Sequence, residues 1–308
     1  MKKIDLLDYI PERIVSGKNG KSYETMVEPD DDSYILSYQY LISNQFSRNA
    51  GTKRMSMRIP QYIDSSPHTF QVLGLLHAEG SKTARGTYTF CNNQPNIINL
   101  VLDWFEKQFN IPPNKWKWSI KLNIKEPKKN YKELVEKKVA GFWTKNTRIV
   151  PEKCFPKKVT YIKNVNHTVR KDTDFGSLVL EIRWNIFNEF VRNFVNKIFL
   201  NYSKFSISQL KEFMKGILAG ESNVEIHLPS KCYRIFLSAI QDAERIAYKK
   251  MLSRVGIKSI DYPKIHAVVI SKKENILKVH KLKLMEIHKE KYKKFLQLIS
   301  LYNSKKSR

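Results

Sequence analysis

The sequence predicts an α+β protein, and three observations support this fold class. Segments whose apolar residues recur at helical spacing are interspersed with segments that alternate apolar and polar residues, as strands do. A helical segment that ends in a glutamate occurs twice, each time before an alternating segment. No window reaches 18 uncharged apolar residues, so neither a membrane-spanning helix nor a membrane partner is expected.

Capping residues and helix breakers place the elements along the chain. Ser66 and Pro67 are typical of a helix start and Gly80 of a helix end, while Ser206 and Gln209 form a capping box. Helices are predicted at 67–80, 96–109, 131–143, 185–200, 210–220, 241–255 and 285–301. Strands are predicted at 83–91, 115–125, 178–184, 223–228, 233–239 and 265–270, and residues 33–43 fit either a helix or a strand.

The strand at 115–125 has two distinct faces. Its even-numbered positions from Trp116 to Ile124 are all apolar, whereas its odd-numbered positions are Lys115, Lys117, Ser119, Lys121, Asn123 and Lys125. The apolar face belongs to a core. The lysine face fits two interpretations equally, a lysine-protected edge strand or a sheet that lies against nucleic acid. In the strand at 223–228, Val224, Ile226 and Leu228 are expected to point inward.

The net charge of +26 is concentrated in two segments. Residues 115–171 contain 17 basic and 4 acidic residues, and residues 272–308 contain 12 and 3. Residues 1–66 and 67–114 are each neutral. Because the charge is clustered, a binding surface for a polyanion is favoured over a uniformly basic coat.

The spacing of the cysteines and the N-terminal residues indicate the cellular compartment that is expected for the protein. Cys91, Cys154 and Cys232 stand far apart and form no CxxC pair, which argues against a disulfide framework and a structural zinc site. The N-terminus has charged residues where a signal peptide would be apolar. An intracellular protein is expected, in the cytoplasm or an organellar matrix, and not a secreted one.

The repeated unit is the main feature of the sequence. Gly74 and Ala78 lie four residues apart on the first copy and Gly216 and Gly220 on the second, and a glutamate, Glu79 or Glu221, follows each pair directly. The glutamates are 142 residues apart. The strand after each has polar alternate positions, namely Ser81, Thr83 and Arg85 in the first copy and Asn223, Glu225 and His227 in the second.

Physical chemistry suggests a purpose for this repeat. Two small residues one turn apart form a flat stripe, and two such stripes let helices pack backbone to backbone. Glu79 and Glu221 would then emerge side by side, where they repel unless divalent cations bridge them. Metals held between carboxylates are a common device for cutting phosphodiesters. The alternative is that the glycines only pack helices and that the glutamates lie on exposed helix ends.

These residues resemble the LAGLIDADG motif, and the order of elements resembles a monomeric LAGLIDADG homing endonuclease over roughly residues 58–302. The segment Arg58–Ile63 before the first motif and the segment Thr87–Asn96 after it support the resemblance. It implies two pseudo-symmetric αββαββα halves that form a DNA-binding saddle, at 58–201 and 202–308. Residues 1–57 would be an N-terminal extension of unassigned role, and about 126–171 an insertion in the first half.

The resemblance also implies site residues. Glu79 and Glu221 would be catalytic and would bind Mg²⁺ or Mn²⁺, with Ca²⁺ as a non-catalytic substitute, and the carbonyls of Ala78 and Gly220 would be further ligands. A peripheral catalytic lysine is expected at Lys289, with Lys273 as a rival. The expected DNA contacts are Ser81, Thr83, Arg85, Lys117, Ser119, Lys121, Asn123, Arg183, Asn223, Glu225 and His227.

The implied activity is double-strand cleavage of DNA at a long, imperfectly palindromic site by a monomer. Two other functions are open on the same fold. One is a DNA-binding regulator without cleavage activity, and the other is a maturase that assists intron splicing by binding intron RNA.

Overall fold

The computed structural model describes residues 3–15, 21–42, 51–81, 86–124, 126–161 and 175–303. In these ranges the chain is an α+β protein with eight α-helices and several small sheets. No helix in the described ranges is long and apolar enough to cross a membrane.

The elements are numbered in chain order. The strands are β1 (Lys3–Asp5), β2 (Arg13–Val15), β3 (Ser22–Glu24), β4 (Met26–Asp30), β5 (Ser33–Ile42), β6 (Gly51–Pro60), β7 (Tyr62–Asp64), β8 (Tyr88–Asn92), β9 (Lys117–Leu122), β10 (Cys154–Tyr161), β11 (Ser177–Ile182), β12 (Ser222–His227), β13 (Cys232–Ser238), β14 (Ile260–Tyr262) and β15 (Ala267–Ile270). The helices are α1 (Pro67–Glu79), α2 (Pro95–Phe109), α3 (Lys129–Asn146), α4 (Asn185–Leu200), α5 (Ile207–Glu221), α6 (Asp242–Arg254), α7 (Lys273–Lys281) and α8 (Lys289–Asn303).

The chain forms two compact units. Unit 1 comprises Met1–Ser65 and Gly80–Lys197, and unit 2 comprises Ser66–Glu79 and Ile198–Arg308. Helix α1 therefore belongs to the same unit as α5, although 142 residues separate their final glutamates.

Unit 1 is built on a four-stranded sheet with the order β10-β9-β11-β8. The core-facing positions of β9 are Trp118, Ile120 and Leu122, all at most 1% exposed. Helices α2 and α4 supply Phe105 and Phe187, whose ring centroids lie 5.5 Å apart. Large aromatic side chains thus fill this core, as the alternation in the sequence predicts.

Strand β9 is an inner strand. It pairs in parallel with β10 on one side and antiparallel with β11 on the other. Its outward Lys117 and Lys121 are exposed. The interpretation of these lysines as protection for a sheet edge is therefore wrong, because β9 is not at an edge.

The segment at 126–171 adds a helix and a strand to this sheet. Helix α3 connects β9 to β10, and the parallel pairing of these strands makes a βαβ crossover. Thr160 pairs with Lys121 and therefore shares its outward face, whereas Val159 pairs with Ile120 and points to the core. The segment widens the first sheet by one strand.

The N-terminal residues form strands, which the spacing of apolar residues in the sequence does not distinguish from helices. Residues 33–43 fit either a helix or a strand in the sequence, and the structure has strand β5 there. It pairs with β6 over ten residue pairs from Ser33–Pro60 to Ile42–Gly51, and with β4 on its other side. This hairpin packs a mostly buried face that includes Leu36, Met57 and Ile59.

Unit 2 has a four-stranded antiparallel sheet with the order β12-β13-β15-β14. The first sheet contains the comparable order β8-β11-β9, in which β11 lies between the strands that flank α2, as β15 lies between the strands that flank α6. The two sheets therefore share the order of three strands, and the fourth strand is β10 in the first sheet and β12 in the second.

Most element predictions are confirmed to within a few residues, and four differ. The strand predicted at 83–91 begins only at Tyr88, because residues 86 and 87 are not in a strand, and residues 83–85 lie outside the described residues. The strand predicted at 115–125 is six residues long, because Lys115 lies in a short 3-10 turn. Leu228 lies beyond the end of β12 and is 60% exposed instead of inward. The last helix begins at Lys289 and not at Met285, which lies in the preceding turn.

Candidate active site at the ends of helices α1 and α5

Side-chain caps fix the start of both motif helices. The Thr69 amide donates to Ser66 Oγ at 3.2 Å at the start of α1. At the start of α5, Ser206 and Gln209 form the complete capping box predicted from the sequence. Each cap satisfies amides that the first turn of a helix leaves without a partner.

The two helices contact each other through their small residues. A Cβ atom added to Gly74 would lie 2.1 Å from the Phe213 carbonyl oxygen, and one added to Gly216 would lie 2.1 Å from the Gln71 carbonyl oxygen. One turn further on, a Cβ on Gly220 would lie 2.5 Å from the Ala78 Cβ. The structure thus brings together all four small residues of the repeat, and backbone lies directly against backbone.

This contact makes Gly216 a sensitive position for stability. Gly216→Ala is expected to lower the free energy of unfolding by about 1–3 kcal/mol or more, because backbone atoms of α1 must move to admit a methyl group. Gly141→Ala is the matched control, since nothing lies within 4 Å of its added Cβ. In helix α3 that change should raise stability by about 0.5–1 kcal/mol. Urea unfolding of both variants measures this difference, and equal midpoints would refute the close packing.

The motif glutamates meet at one end of this helix pair. Glu79 and Glu221 are the last residues of α1 and α5. A Cβ added to Gly220 would lie 3.0 Å from Glu79 Cγ and 3.5 Å from Glu79 Oε1, and Glu221 is the next residue along the chain. The crossing therefore places the Glu79 carboxylate beside the final turn of the helix that carries Glu221.

A lysine from α8 lies at the same end. The Lys291 ammonium donates to the Ala219 carbonyl at 2.7 Å and to the Gly220 carbonyl at 2.6 Å. Burial lowers the pKa of Lys291 to about 8, and the nearby carboxylates of Glu79 and Glu221 act in the opposite direction by favouring its charged form. The site thus holds two carboxylates and one partly desolvated ammonium group.

This group of atoms fits a hard divalent cation. The two carboxylates and the Gly220 carbonyl are oxygen donors, which suit magnesium-type ions, and the Ala78 carbonyl is the further oxygen ligand expected from the sequence. The Gly220 carbonyl keeps a second lone pair beside the one that Lys291 uses. Groups of three or more His, Cys, Asp or Glu side chains that could together hold a metal ion are absent from the described ranges.

The sequence-based candidates for the peripheral lysine lie elsewhere. Lys289 is the exposed first residue of α8. Lys273 donates to the Tyr302 carbonyl at 3.1 Å, near the opposite end of α8. Lys291 was missed because two residues on a helix point about 200° apart, and the sequence does not tell which lysine faces the site.

Three of the DNA-contact candidates of unit 1 lie on the outward face of its sheet. Lys117, Ser119 and Lys121 share the outward face of β9, and Asn123 follows the strand. Arg183 follows β11, and its side chain donates to Glu181 at 2.5 Å. The Ser81 amide donates to the Thr89 carbonyl at 2.9 Å. Thr83 and Arg85 lie outside the described residues. Phe155 of β10, not a candidate from the sequence, lies under Arg183, with its ring centroid 5.0 Å from the guanidinium carbon.

The candidates of unit 2 alternate along β12. Asn223 and His227 are exposed, and Glu225 between them forms an ion pair with Arg234 at 2.8 Å. The His227 Nδ1 lies 2.6 Å from Ser230 Oγ. These side chains share one face of the strand, while Val224 faces the core.

Comparisons with known proteins give structural similarities only. No protein-family model and no curated protein matches the sequence. Among solved structures, the chain is similar to the N-terminal LAGLIDADG domain of DUF199/WhiA, with a TM-score of 0.36, 10% identity, and coverage of 72% of this chain and 84% of that chain. It is also similar to mesophilic variants of the homing endonuclease I-DmoI, with a TM-score of 0.37, 15% identity, and coverage of 71% and 96%. I-DmoI in complex with DNA and Ca gives the same TM-score and identity, with coverage of 71% and 91%. Membership of the LAGLIDADG family stays a prediction from the sequence motifs.

Proposed function

We propose that this chain is a divalent-metal-dependent endonuclease that cuts both strands of DNA at a specific site. The observation that carries the proposal is the arrangement at the ends of α1 and α5. Glu79 and the last turn of α5 are in contact there, Glu221 ends that turn, and the Lys291 ammonium lies on the adjacent carbonyls. Paired carboxylates with a cation beside them suit phosphodiester hydrolysis better than a purely structural helix contact.

Each residue of the site has a role in this proposal. Glu79 and Glu221, with the carbonyls of Ala78 and Gly220, would hold Mg²⁺ or Mn²⁺, with Ca²⁺ as a non-catalytic substitute. Such an ion, when bound, supplies activation of water and stabilisation of the departing oxygen. Lys291 takes the role that the sequence assigned to Lys289. Its ammonium would place positive charge beside the scissile phosphate, because it lies on the carbonyls of Ala219 and Gly220, which directly precede Glu221.

The strand orders support a two-part architecture. The shared order β8-β11-β9 and β13-β15-β14 is what two αββαββα halves, at 58–201 and 202–308, would produce. Each sheet carries polar residues on the strand face away from its core. In the proposal these faces read a long, imperfectly palindromic duplex through the major groove, and a monomer supplies both halves.

The proposal is tested with duplex DNA that joins the two sequences flanking the chain's own gene, without the intron proposed to encode it. The purified chain is incubated with this duplex and Mg²⁺, and with the transcript of the intron as a competitor. A staggered double-strand cut supports the nuclease. Binding of the duplex without cutting would favour a regulator, and preferential binding of the transcript would favour a maturase; either result overturns the proposal.

The charge distribution predicts how the affinity for DNA depends on salt concentration. If the protein neutralises about 6–10 phosphates, log Kd against log salt concentration should change with a slope of roughly 5 to 9 in magnitude. Replacing Lys117 and Lys121 together by alanine should lower this slope by about 2, because each phosphate contact contributes about 0.9. The control replaces Lys249 and Lys250, two exposed lysines of α6, whose helix packs on the core side of the second sheet. Equal slopes for the two double variants would contradict binding through the β9 face.

A further inference from the structure

Helix α8 begins directly after a buried histidine. His288 is 4% exposed, and its Nδ1 accepts a hydrogen bond from the Lys291 backbone amide at 3.3 Å. The His288 carbonyl accepts from the Tyr292 amide at 2.9 Å. His288 therefore occupies the N-cap position, and the amide that it caps belongs to Lys291, the third residue of the helix.

The turn before α8 is anchored beside the end of α5. Leu284 and Met285 are buried, and Met285 Sδ lies 3.8 Å from Ser222 Oγ. Ser222 follows Glu221 directly, and its hydroxyl donates to the Leu218 carbonyl. The segment that enters α8 is thus fixed to the same helix end that carries Glu221, at a position next to the carbonyls that Lys291 binds.

The charge state of His288 agrees with its role as an acceptor. Burial and the adjacent Lys291 ammonium lower the pKa of His288 to about 4. The ring is therefore neutral in ordinary buffers, and only a neutral imidazole can accept a hydrogen bond at Nδ1. A neutral ring also avoids adding a second positive charge beside a buried ammonium group.

We propose that His288 is a positioning residue, which caps α8 and thereby holds the Lys291 ammonium on the carbonyls of Ala219 and Gly220. The cap fixes the first turn of the helix, and Lys291 lies in that turn. A lysine side chain has many accessible rotamers, so a fixed backbone reduces the freedom that must be lost when its ammonium binds two carbonyls. The role of this lysine in cutting rests on the proposed function, whereas its placement by His288 does not.

Three substitutions at His288 distinguish the loss of the helix cap from a change in side-chain volume. Asparagine caps helices well, so His288→Asn keeps an acceptor for the Lys291 amide. Leucine fills similar space without an acceptor, and alanine removes the acceptor without adding apolar bulk. If one of the two apolar variants fails to fold, the other provides the comparison.

The measurement is NMR spectroscopy of the protein alone, with ¹³C-labelled lysine and the Lys291 signal assigned by its loss in Lys291→Met. In the wild-type chain and in His288→Asn, the side-chain protons of Lys291 should show nuclear Overhauser contacts to protons of Ala219 and Gly220, whose carbonyls its ammonium binds. In His288→Leu or His288→Ala these contacts should be lost, because the first turn of α8 no longer holds the lysine in place. Unchanged contacts in the apolar variants would overturn the proposal, and so would an asparagine variant that behaves as they do.

DNA cleavage gives a second, independent readout. If the proposed function holds, His288→Leu should cut about 10-fold more slowly with unchanged DNA affinity, as expected for the loss of a supporting contact, and His288→Asn should restore most of the rate. A chain that cuts no DNA but loses the contacts of Lys291 with Ala219 and Gly220 in the apolar variants would refute the nuclease and keep the positioning role. A chain that cuts DNA equally well in all variants would refute the positioning role and keep the nuclease.

Discussion

Glu79→Gln and Glu221→Gln are each expected to bind duplex DNA as tightly as the wild-type chain and to lose double-strand cleavage by more than about 100-fold. Removing a residue that supports a metal ligand typically lowers metal affinity or activity by about 10–100-fold, so removing the charge of the ligand itself should lower activity by more. Glutamine has the size of glutamate but carries no negative charge, so the packing of Gly220 against the Glu79 side chain is retained. Binding is measured by fluorescence anisotropy in Ca²⁺, and cleavage by single-turnover assays in Mg²⁺.

The matched control for these variants is Glu290→Gln. Glu290 is an exposed glutamate in the first turn of α8, so the chemical change is identical and lies near the site without belonging to it. Glu290→Gln should cut at the wild-type rate. If it loses as much activity as Glu79→Gln, general loss of negative charge, and not loss of a specific carboxylate, would explain the effect.

Lys291→Met is expected to lower the single-turnover cleavage rate by about 100-fold with little change in DNA affinity. Methionine has a similar length and apolar stem but no ammonium group, so it removes positive charge beside two carboxylates while it keeps the packing of α8. Contributions of about 100-fold or more are usual for a positioned group that assists the transfer of protons or the stabilisation of charge. Single-turnover assays at saturating protein separate this rate from binding.

Lys289→Met is the control for this second prediction. The two lysines lie in the same turn, but Lys289 is exposed, whereas Lys291 binds the carbonyls of Ala219 and Gly220. Lys289→Met should cut within about 2-fold of the wild-type rate, because an exposed surface substitution rarely changes a buried site. A large loss in Lys289→Met with wild-type activity in Lys291→Met would restore the lysine chosen from the sequence.

The helices that position the site could be predicted because their signals are local. Ser206 and Gln209 lie three residues apart, and the capping box they form depends only on that spacing. The small residues of the repeat are also local to each helix, and the observation that two copies exist is what suggested that they meet. Contact between Gly74 and Gly216 therefore followed from pattern and from elementary sterics.

The lysine that contacts the end of α5 could not be predicted, because this contact depends on where α8 begins and which side of it faces α5. The apolar spacing extends the last helix back to Met285, but Met285 lies in a turn and the helix starts after His288. Histidine is an unusual cap, and no local signal distinguishes it from a surface residue. Only packing against the end of α5 shows that Lys291 is the residue that faces the carboxylates.

The position of β9 within its sheet could not be predicted from the sequence either. Its alternation of tryptophan and lysine predicts a strand with one buried face, and this is confirmed. Whether a strand is at an edge depends on partners far away in the sequence, here Cys154–Tyr161 and Ser177–Ile182. A parallel partner joined through α3 leaves no periodic signal in β9 itself.

The most direct test of the central claim, that the two motif-end glutamates form a metal-dependent cutting centre, is the Glu79→Gln/Glu221→Gln double variant. It is incubated with the target duplex in Mg²⁺ beside the wild-type chain and the wild-type chain in EDTA. Wild-type protein should produce a staggered double-strand cut only with Mg²⁺, and the double variant should produce none while it binds the duplex with wild-type affinity. Cutting by the double variant at the wild-type rate would contradict the claim.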